Sequence, residues 1–265
     1  MSGTPPLRAL ARSVLAPLAA VSLALGALSG CSSVETVSPE MARADAPEAG
    51  SLGKSRPGGS GGVDCEKAKC IALTFDAGPA PATPRLLDTL AKERVPATFF
   101  LLGKRHIEKY PELVRRIADE GHEVANHTWS HPRLTDVSED RIREELDRPQ
   151  RAIEKITGER PRLMRPPQGR TDETVSKISK ELGLAQVLWS VTAKDYATDD
   201  SSLIQERTLE GADRDGIILL HDIYPGTVPA VPGIIKELKE RGFTFVTVPQ
   251  LLAPGTPKPG EVYRP

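Results

Sequence analysis

The stretch that decides the fold is residues 71–102, IALTFDAGPAPATPRLLDTLAKERVPATFFLL. It opens with an apolar run at 71–75, continues with a helical pattern at 84–92, and closes with a second apolar run at 97–102. Two short apolar runs separated by a helical pattern are typical of parallel strands joined by a helix. The same alternation continues to residue 246, which predicts a chain built of about seven strand–helix units.

This alternation defines the predicted elements. The predicted strands are residues 71–75, 97–102, 122–125, 162–164, 185–190, 217–220 and 243–246. The predicted helices are residues 84–92, 111–120, 139–156, 172–182, 201–209 and 231–240. Polar residues cluster directly after the strand ends, which favours an α/β fold with a barrel-like closed sheet over an open one.

Composition narrows the class of protein. The chain has 265 residues and is 38% hydrophobic, enough for one large domain with a tail or for two small domains. A formal net charge of −1 provides no electrostatic footprint for nucleic acid and no basic patch for anionic lipid.

The N-terminus carries an export signal. Arg8 and Arg12 precede an apolar run at residues 13–28, which is short for a membrane-spanning helix. The run ends in Leu-Ser-Gly-Cys, which resembles a bacterial lipobox with Cys31 as the lipidated first mature residue. The alternatives are an ordinary signal peptide with an incidental cysteine and a permanent membrane helix. We predict a signal peptide at 1–30 and an exported protein at the outer face of the cell membrane.

The chain then divides into a tether, a domain and a tail. Residues 31–63 are rich in Ser, Gly and Pro and show no apolar period, which predicts a flexible tether. The folded domain is predicted at 64–252, and an irregular tail at 253–265. Export into an oxidising compartment favours a disulfide between Cys65 and Cys70; a cysteine-only metal site would lack nearby partners.

Two strand ends carry residues suited to hydrolytic chemistry. Asp76 directly follows the first strand, where barrel active sites are built, although an Asp before Gly-Pro is also good turn chemistry. His127 and His131 lie four residues apart after another strand, so both imidazoles can converge on a divalent ion. The alternative is a pair of surface histidines.

Two further strand ends complete the set. Arg165 lies on a segment stiffened by two prolines and is suited to clamp a carboxylate, although a simple turn would also explain it. His221 ends a buried apolar strand, where a histidine can equally be a satisfied core residue. Asp195 lies just past another strand end and is the candidate partner of His221.

Together these segments resemble the polysaccharide deacetylase family, the NodB-like carbohydrate esterases. The resemblance rests on five motifs in family order: TFDAG at 74–78, HTWSH at 127–131, RPPQG at 165–169, TAKDY at 192–196 and LLH at 219–221. It implies a distorted (β/α) barrel of about seven parallel strands that removes acetyl groups from glucosamine polymers or xylan.

The resemblance also implies a role for each motif residue. His127 and His131 would bind a divalent metal, zinc or else cobalt, nickel or manganese. The implied remaining roles are Asp76 as general base, Arg165 holding Asp76, His221 as general acid supported by Asp195, a backbone N–H near Gln168 in the oxyanion site, and Leu219 and Tyr196 lining the acetyl-methyl pocket.

The chain departs from the family pattern at several positions. Ala77 stands where the family has its third protein metal ligand, an Asp, and Asp222 is a candidate substitute. Gln168 replaces a Tyr, Thr192 replaces the first Asp of the fourth motif, and Tyr196 replaces a Trp.

Two functions follow from these features. The first is an active metal-dependent deacetylase, and the second is a catalytically silent wall-binding lipoprotein. A membrane anchor favours peptidoglycan as the polysaccharide substrate, with chitin and acetylxylan left open. We expect a monomer attached to the membrane through Cys31, with no nucleic-acid partner.

Overall fold

The structure, a computed structural model, describes residues 34–46 and 62–265. Within these residues ten strands form one sheet, and every strand pair in it is parallel. The strands are β1 Thr36–Val37, β2 Lys69–Asp76, β3 Thr98–Leu101, β4 Glu123–Asn126, β5 Leu163–Met164, β6 Ala185–Val187, β7 Val191–Thr192, β8 Gly216–His221, β9 Phe243–Val246 and β10 Val262–Tyr263.

Helices connect the strands, as parallel pairing requires. They are α1 Pro39–Ala44, α2 Thr83–Glu93, α3 Pro111–Asp119, α4 Glu139–Thr157, α5 Glu173–Glu181, α6 Ser201–Gly211, α7 Thr227–Glu240 and α8 Val248–Leu252. All six predicted helices are present. The last of them, predicted at 231–240, begins four residues earlier at Thr227 because Pro232 lies inside the helix rather than at its start.

The strands curl into a distorted barrel. Their order is β1-β10-β6-β5-β4-β3-β2-β8-β7, and β9 pairs with the first half of β2. One segment closes the ring, because β6 pairs with β5 and β7 pairs with β8 only three residues later. The strand predicted at 185–190 is therefore two strands, separated where the backbone of Leu188 turns to Tyr263 and that of Ser190 turns to Ile217.

Strand β2 shows how the apolar pattern builds the barrel. Side chains alternate between the two faces of a strand. Ile71, Leu73 and Phe75 pack in the core formed with the surrounding helices, whereas Cys70 and Ala72 belong to a second core. That second core includes buried residues from neighbouring strands and lies inside the ring. By the same alternation the side chain of Asp76 points to the inside of the barrel.

The ends of the chain differ from prediction. Residues 34–46, predicted to be flexible tether, form β1 and α1. Val262 and Tyr263, predicted to be irregular tail, form β10 between β1 and β6. Buried Arg43 of α1 donates to the carbonyl of Leu251 at 2.8 Å and forms an ion pair with Asp215 at 2.6 Å. These backbone bonds and one buried charge hold segments too short to show any apolar period.

The remaining predictions for the N-terminal region have different outcomes. The signal peptide at 1–30, Cys31 and residues 32–33 and 47–61 of the predicted tether lie outside the described residues. A disulfide joins Cys65 and Cys70 at the entry to β2. Within the part of the chain that the structure describes, no helix is long and apolar enough to cross a membrane.

Candidate active site

A cavity of about 520 Å³ lies at the carboxyl ends of β2, β4 and β8. In parallel barrels this edge collects the residues that follow the strands. The predicted residues that line it are Asp76, His127, His131, Gln168, Tyr196, Leu219 and His221, together with Trp189, Thr192 and Tyr224. Arg165 and Asp195 do not line the cavity but lie behind its wall, where Arg165 contacts Asp76 and Asp195 contacts His221.

Asp76 is a buried carboxylate held by one arginine. It is 2% exposed, and its Oδ1 accepts from Arg165 Nη1 at 2.7 Å. Arg165 is fully buried and also donates to Thr74 Oγ1 at 2.8 Å and to the carbonyl of Val187 at 3.0 Å. Its guanidinium lies 4.0 Å from the ring centroid of Phe100. These contacts fix Oδ1 and leave Oδ2 facing the cavity.

The two histidines after β4 lie next to this carboxylate. His127 Nε2 is 3.8 Å from Asp76 Oδ2, and the ring centroids of His127 and His131 are 4.9 Å apart. His127 Nδ1 lies 2.9 Å from the carbonyl oxygen of Arg165. A carbonyl only accepts, so Nδ1 carries the proton and Nε2 presents a lone pair.

Burial keeps both imidazoles neutral. It lowers the pKa of His127 to about 4, despite the opposing charge of Asp76. It also lowers the pKa of His131, where Asp76 again opposes the shift. Neutral imidazole is the form that binds a metal ion.

His221 has the opposite electrostatic setting. Its Nδ1–H donates to Asp195 Oδ1 at 2.9 Å, and its backbone N–H donates to Asp195 Oδ2 at 2.7 Å. Thr227 Oγ1 also donates to Asp195 Oδ2, at 2.8 Å, so the carboxylate is fixed from three sides. Burial lowers the pKa of His221, but the hydrogen bond to Asp195 and the charges of Asp76 and Asp195 outweigh it and raise the pKa above its ordinary value.

Known proteins resemble this chain in sequence and in fold. The sequence profile of the polysaccharide deacetylase family matches residues 64–187. A solved deacetylase with substrate is 40% identical, superposes with a TM-score of 0.73, and aligns over 76% of this chain and 99% of its own.

The chain belongs to the polysaccharide deacetylase family.

Two other members of the family are similar to this chain. The peptidoglycan-N-acetylglucosamine deacetylase PgdA of Listeria monocytogenes is 39% identical over 184 residues, which are 69% of this chain and 39% of PgdA. The chain therefore spans well under half the length of that relative. A CE4 family pseudoenzyme from Bacillus anthracis is 28% identical, with a TM-score of 0.67, and aligns over 74% of this chain and 70% of its own.

One departure from the family pattern lies directly beside Asp76. Ala77 follows Asp76, has φ +65°, and donates its backbone N–H to the carbonyl of Phe100. Asp222 does not replace the missing carboxylate, because its Oδ2 accepts from the hydroxyl of Thr83 and its side chain packs under Gly78. Burial raises the pKa of Asp222 to about 6.

The donor set therefore fits a metal ion only in part. Among residues 34–46 and 62–265, no three His, Cys, Asp or Glu side chains are arranged to hold an ion together. The two neutral imidazoles remain. The Nδ1–H of His127 donates to a backbone carbonyl, which is the outer contact that usually orients a metal-binding histidine. The pair fits a divalent ion whose other positions are taken by water or substrate.

Three residues near the cavity were not assigned from the sequence. Trp189 and Tyr224 line it, and the Tyr224 ring lies 5.3 Å from that of His221. Tyr224 follows the predicted strand at 217–220, a signal that applies to it as well as to the assigned residues, whereas Trp189 lies inside the strand predicted at 185–190 and is released by the earlier end of β6 at Val187. Glu145, in the middle of α4, contacts the loop between the two histidines, and no sequence signal distinguished it from the other charged residues of that helix.

Proposed function

We propose that this domain hydrolyses acetamido groups on N-acetylated sugars of a cell-wall polysaccharide, with peptidoglycan as the substrate class. One observation carries the proposal: a fixed buried carboxylate, two neutral imidazoles and a third imidazole with a raised pKa line one cavity. Amide hydrolysis needs a proton acceptor for water, a stabilised oxyanion and a proton donor for the leaving amine. The cavity offers a side chain or backbone group for each need.

Asp76 is the proton acceptor in this proposal. Arg165 occupies its Oδ1, so Oδ2 is the oxygen that takes the proton of the attacking water. The ion pair with Arg165 also holds the carboxylate in one orientation, with Oδ2 towards the cavity. The water oxygen then bonds to the acetyl carbonyl carbon.

His127 and His131 are the residues that would hold the divalent ion, for which zinc, cobalt, nickel and manganese are the candidates. A bound ion would polarise the acetyl carbonyl and make a coordinated water more acidic. Since only two protein ligands are present, we expect this ion to bind more weakly than at a site with three.

His221 is the proton donor. Asp195 accepts from Nδ1, so Nε2 is the ring nitrogen available to the substrate. The raised pKa favours the protonated imidazole, and the proton passes to the sugar nitrogen as the C–N bond breaks. Acetate and a free amine are the products.

The rest of the cavity wall binds the acetyl group. Gln168, with φ +58°, lies in the turn Pro167–Gly169, and its backbone N–H is the proposed oxyanion donor. Leu219 and Tyr196 line the proposed methyl pocket, and Tyr196 is 56% exposed, which makes it available to a sugar ring.

We also propose that the chain is exported and anchored by a lipid on Cys31. The support is the order of segments at its N-terminus: two arginines, then an apolar run, then Leu-Ser-Gly-Cys. Only residues 32–35 separate Cys31 from β1. Cys31→Ala should move the protein from the detergent phase to the aqueous phase; unchanged partitioning would contradict the anchor.

A catalytically silent polysaccharide-binding protein is the second candidate. It is favoured by one observation, Ala77 at the position of a family metal ligand, and the similarity to a family pseudoenzyme is consistent with it. O-deacetylation of acetylxylan needs the same side chains and differs only in the leaving oxygen.

Metal content and acetate release test these functions together. Purified full-length protein is stripped of metal, reloaded with zinc, cobalt, nickel or manganese, and supplied with N-acetylglucosamine oligomers, peptidoglycan or acetylxylan. We expect acetate release from N-acetylglucosamine oligomers and from peptidoglycan only when metal is bound. We expect Asp76→Asn to release acetate at least about a hundredfold more slowly. No bound metal and no acetate at any loading would exclude the enzyme, and polymer binding under those conditions would support the silent alternative.

A further inference from the structure

The loop between the two histidines has an unusual backbone. Thr128 and His131 both have positive φ, +69° and +64°, although neither is glycine. Such conformations cost about 1–3 kcal/mol each and persist only where the surroundings hold them. The loop supplies His131, so whatever holds this backbone also sets the position of that imidazole.

Glu145 of α4 holds the centre of this loop. Its side chain is fully buried, and Oε2 accepts from the backbone N–H groups of Trp129 at 2.9 Å and Ser130 at 2.7 Å. Oε1 accepts from Ser130 Oγ at 2.6 Å and forms an ion pair with Arg141 at 2.5 Å. A buried carboxylate that accepts from two backbone donors fixes their orientation, because charge-assisted bonds are short and about twice as strong as neutral ones.

The helix that carries Glu145 is itself fixed to the barrel. The side-chain amide of Asn126, the last residue of β4, donates to the carbonyl of Leu146 at 2.7 Å. The Oδ1 of Asn126 accepts from the N–H of Thr128 at 2.8 Å. Asn126 and Glu145 therefore hold the two halves of the loop, and both are tied to the same turn of α4.

We infer that Glu145 is a positioning residue for the metal-binding histidine pair. It acts through the backbone of residues 129–130 to hold the His131 ring where it can bind the same metal ion as His127. This inference rests on the proposed metal function. Glu145 does not line the cavity. Its effect is therefore on the geometry of the pair and on metal affinity.

The neighbouring Glu144 provides a matched control. It lies on the same helix, its side chain is 54% exposed, and it pairs with the same arginine, Arg141, at 2.6 Å. Glu144→Gln removes an equal charge one residue away and leaves the loop contacts intact. Ser130→Ala is an intermediate perturbation, because it removes one donor to Glu145 and keeps both backbone donors.

The test is zinc affinity of metal-free full-length protein, measured by chelator competition well below each variant's melting temperature. We expect about 10–100-fold weaker binding for Glu145→Gln, as for other outer contacts of metal ligands, a smaller loss for Ser130→Ala, and wild-type affinity for Glu144→Gln. A purely structural role would lower the melting temperature and leave the affinity of the folded protein unchanged.

The outcomes separate this inference from the proposed function. If the wild type binds zinc and Glu145→Gln binds it equally well, the inference is wrong and the proposed function stands. If Glu145→Gln does not fold, Ser130→Ala decides, and wild-type affinity in that variant overturns the inference. If the wild type binds no metal, both are overturned.

Discussion

Replacing Arg165 with methionine tests how much the buried ion pair with Asp76 contributes to stability. The side chain is fully buried and makes four polar contacts, one of them the 2.7 Å ion pair with Asp76. Methionine keeps most of the apolar stem, so the cavity left behind is small. What remains is a carboxylate that is 2% exposed and has lost its positive partner.

The expected loss of stability follows from leaving the Asp76 carboxylate buried without a positive partner. Removing one partner of a buried ion pair costs about 3–5 kcal/mol. At about 2–4 °C per kcal/mol for a domain of this size, the melting temperature should fall by about 6–20 °C. Arg162→Met is the matched control, because Arg162 is exposed three residues earlier on the same segment, and a surface change of this kind stays within about 0.5 kcal/mol.

Thermal denaturation followed by circular dichroism at neutral pH measures these changes. A double-mutant cycle with Asp76→Asn isolates the pair, since the combined variant contains no unpaired charge. We expect the double variant to be more stable than the sum of the two single losses predicts, by at least about 2 kcal/mol. A melting temperature for Arg165→Met within 2 °C of the Arg162→Met control, or strict additivity in the cycle, would refute this reasoning.

Three further replacements give four predictions. Ala77→Asp should tighten zinc binding by at least about tenfold, because it adds an anionic ligand at a backbone position that Asp tolerates; unchanged affinity in a titration would mean that another group already occupies the place. Asp195→Asn should lower kcat/KM at neutral pH by about 10–100-fold and move the basic limb of its pH profile to lower pH, because His221 loses the partner that raises its pKa. The same variant should lose more stability at pH 6 than at pH 9, since stability from a histidine with a raised pKa is complete at low pH and disappears as pH rises through that pKa; an equal loss at both values would contradict the assignment. Replacing Cys65 and Cys70 with serine should cost about 2 kcal/mol in chemical denaturation without changing acetate release, because the loop they close is short.

The barrel was predictable because its strands and helices have clear periods. Strand β2 presents a run of mostly apolar, buried residues, and α2 places Leu86, Leu87 and Leu90 on one buried face. The ends of the chain were not predictable in this way. Strands β1 and β10 contain two residues each, and a two-residue strand is defined by its hydrogen-bond partners and not by a pattern of its own.

The site shows the same division. Asp76, His127 and His221 follow parallel strands, so the fold brings them to one edge of the barrel once the strands are assigned. Glu145 could not be found by that rule, because it reaches the loop from a helix in which charged residues are normally solvated. Its role depends on the direction of one side chain, which sequence spacing along a polar helix does not reveal.

The buried charges themselves bear on the choice between an active and a silent domain. A folded barrel does not need the pair of Asp76 and Arg165 or that of Asp195 and His221 for its stability, because well-packed apolar side chains in place of a buried ion pair are often neutral or stabilising by about 1–4 kcal/mol. Both pairs nevertheless point an atom at the cavity, Asp76 Oδ2 as the proposed base and His221 Nε2 as the proposed acid. A surface that only binds sugar needs neither protonation state. Ala77 lacks the carboxylate that the family has at this position, but the proposed proton-transfer groups Asp76 and His221 are still in place. This argues for weakened metal binding and retained hydrolytic chemistry.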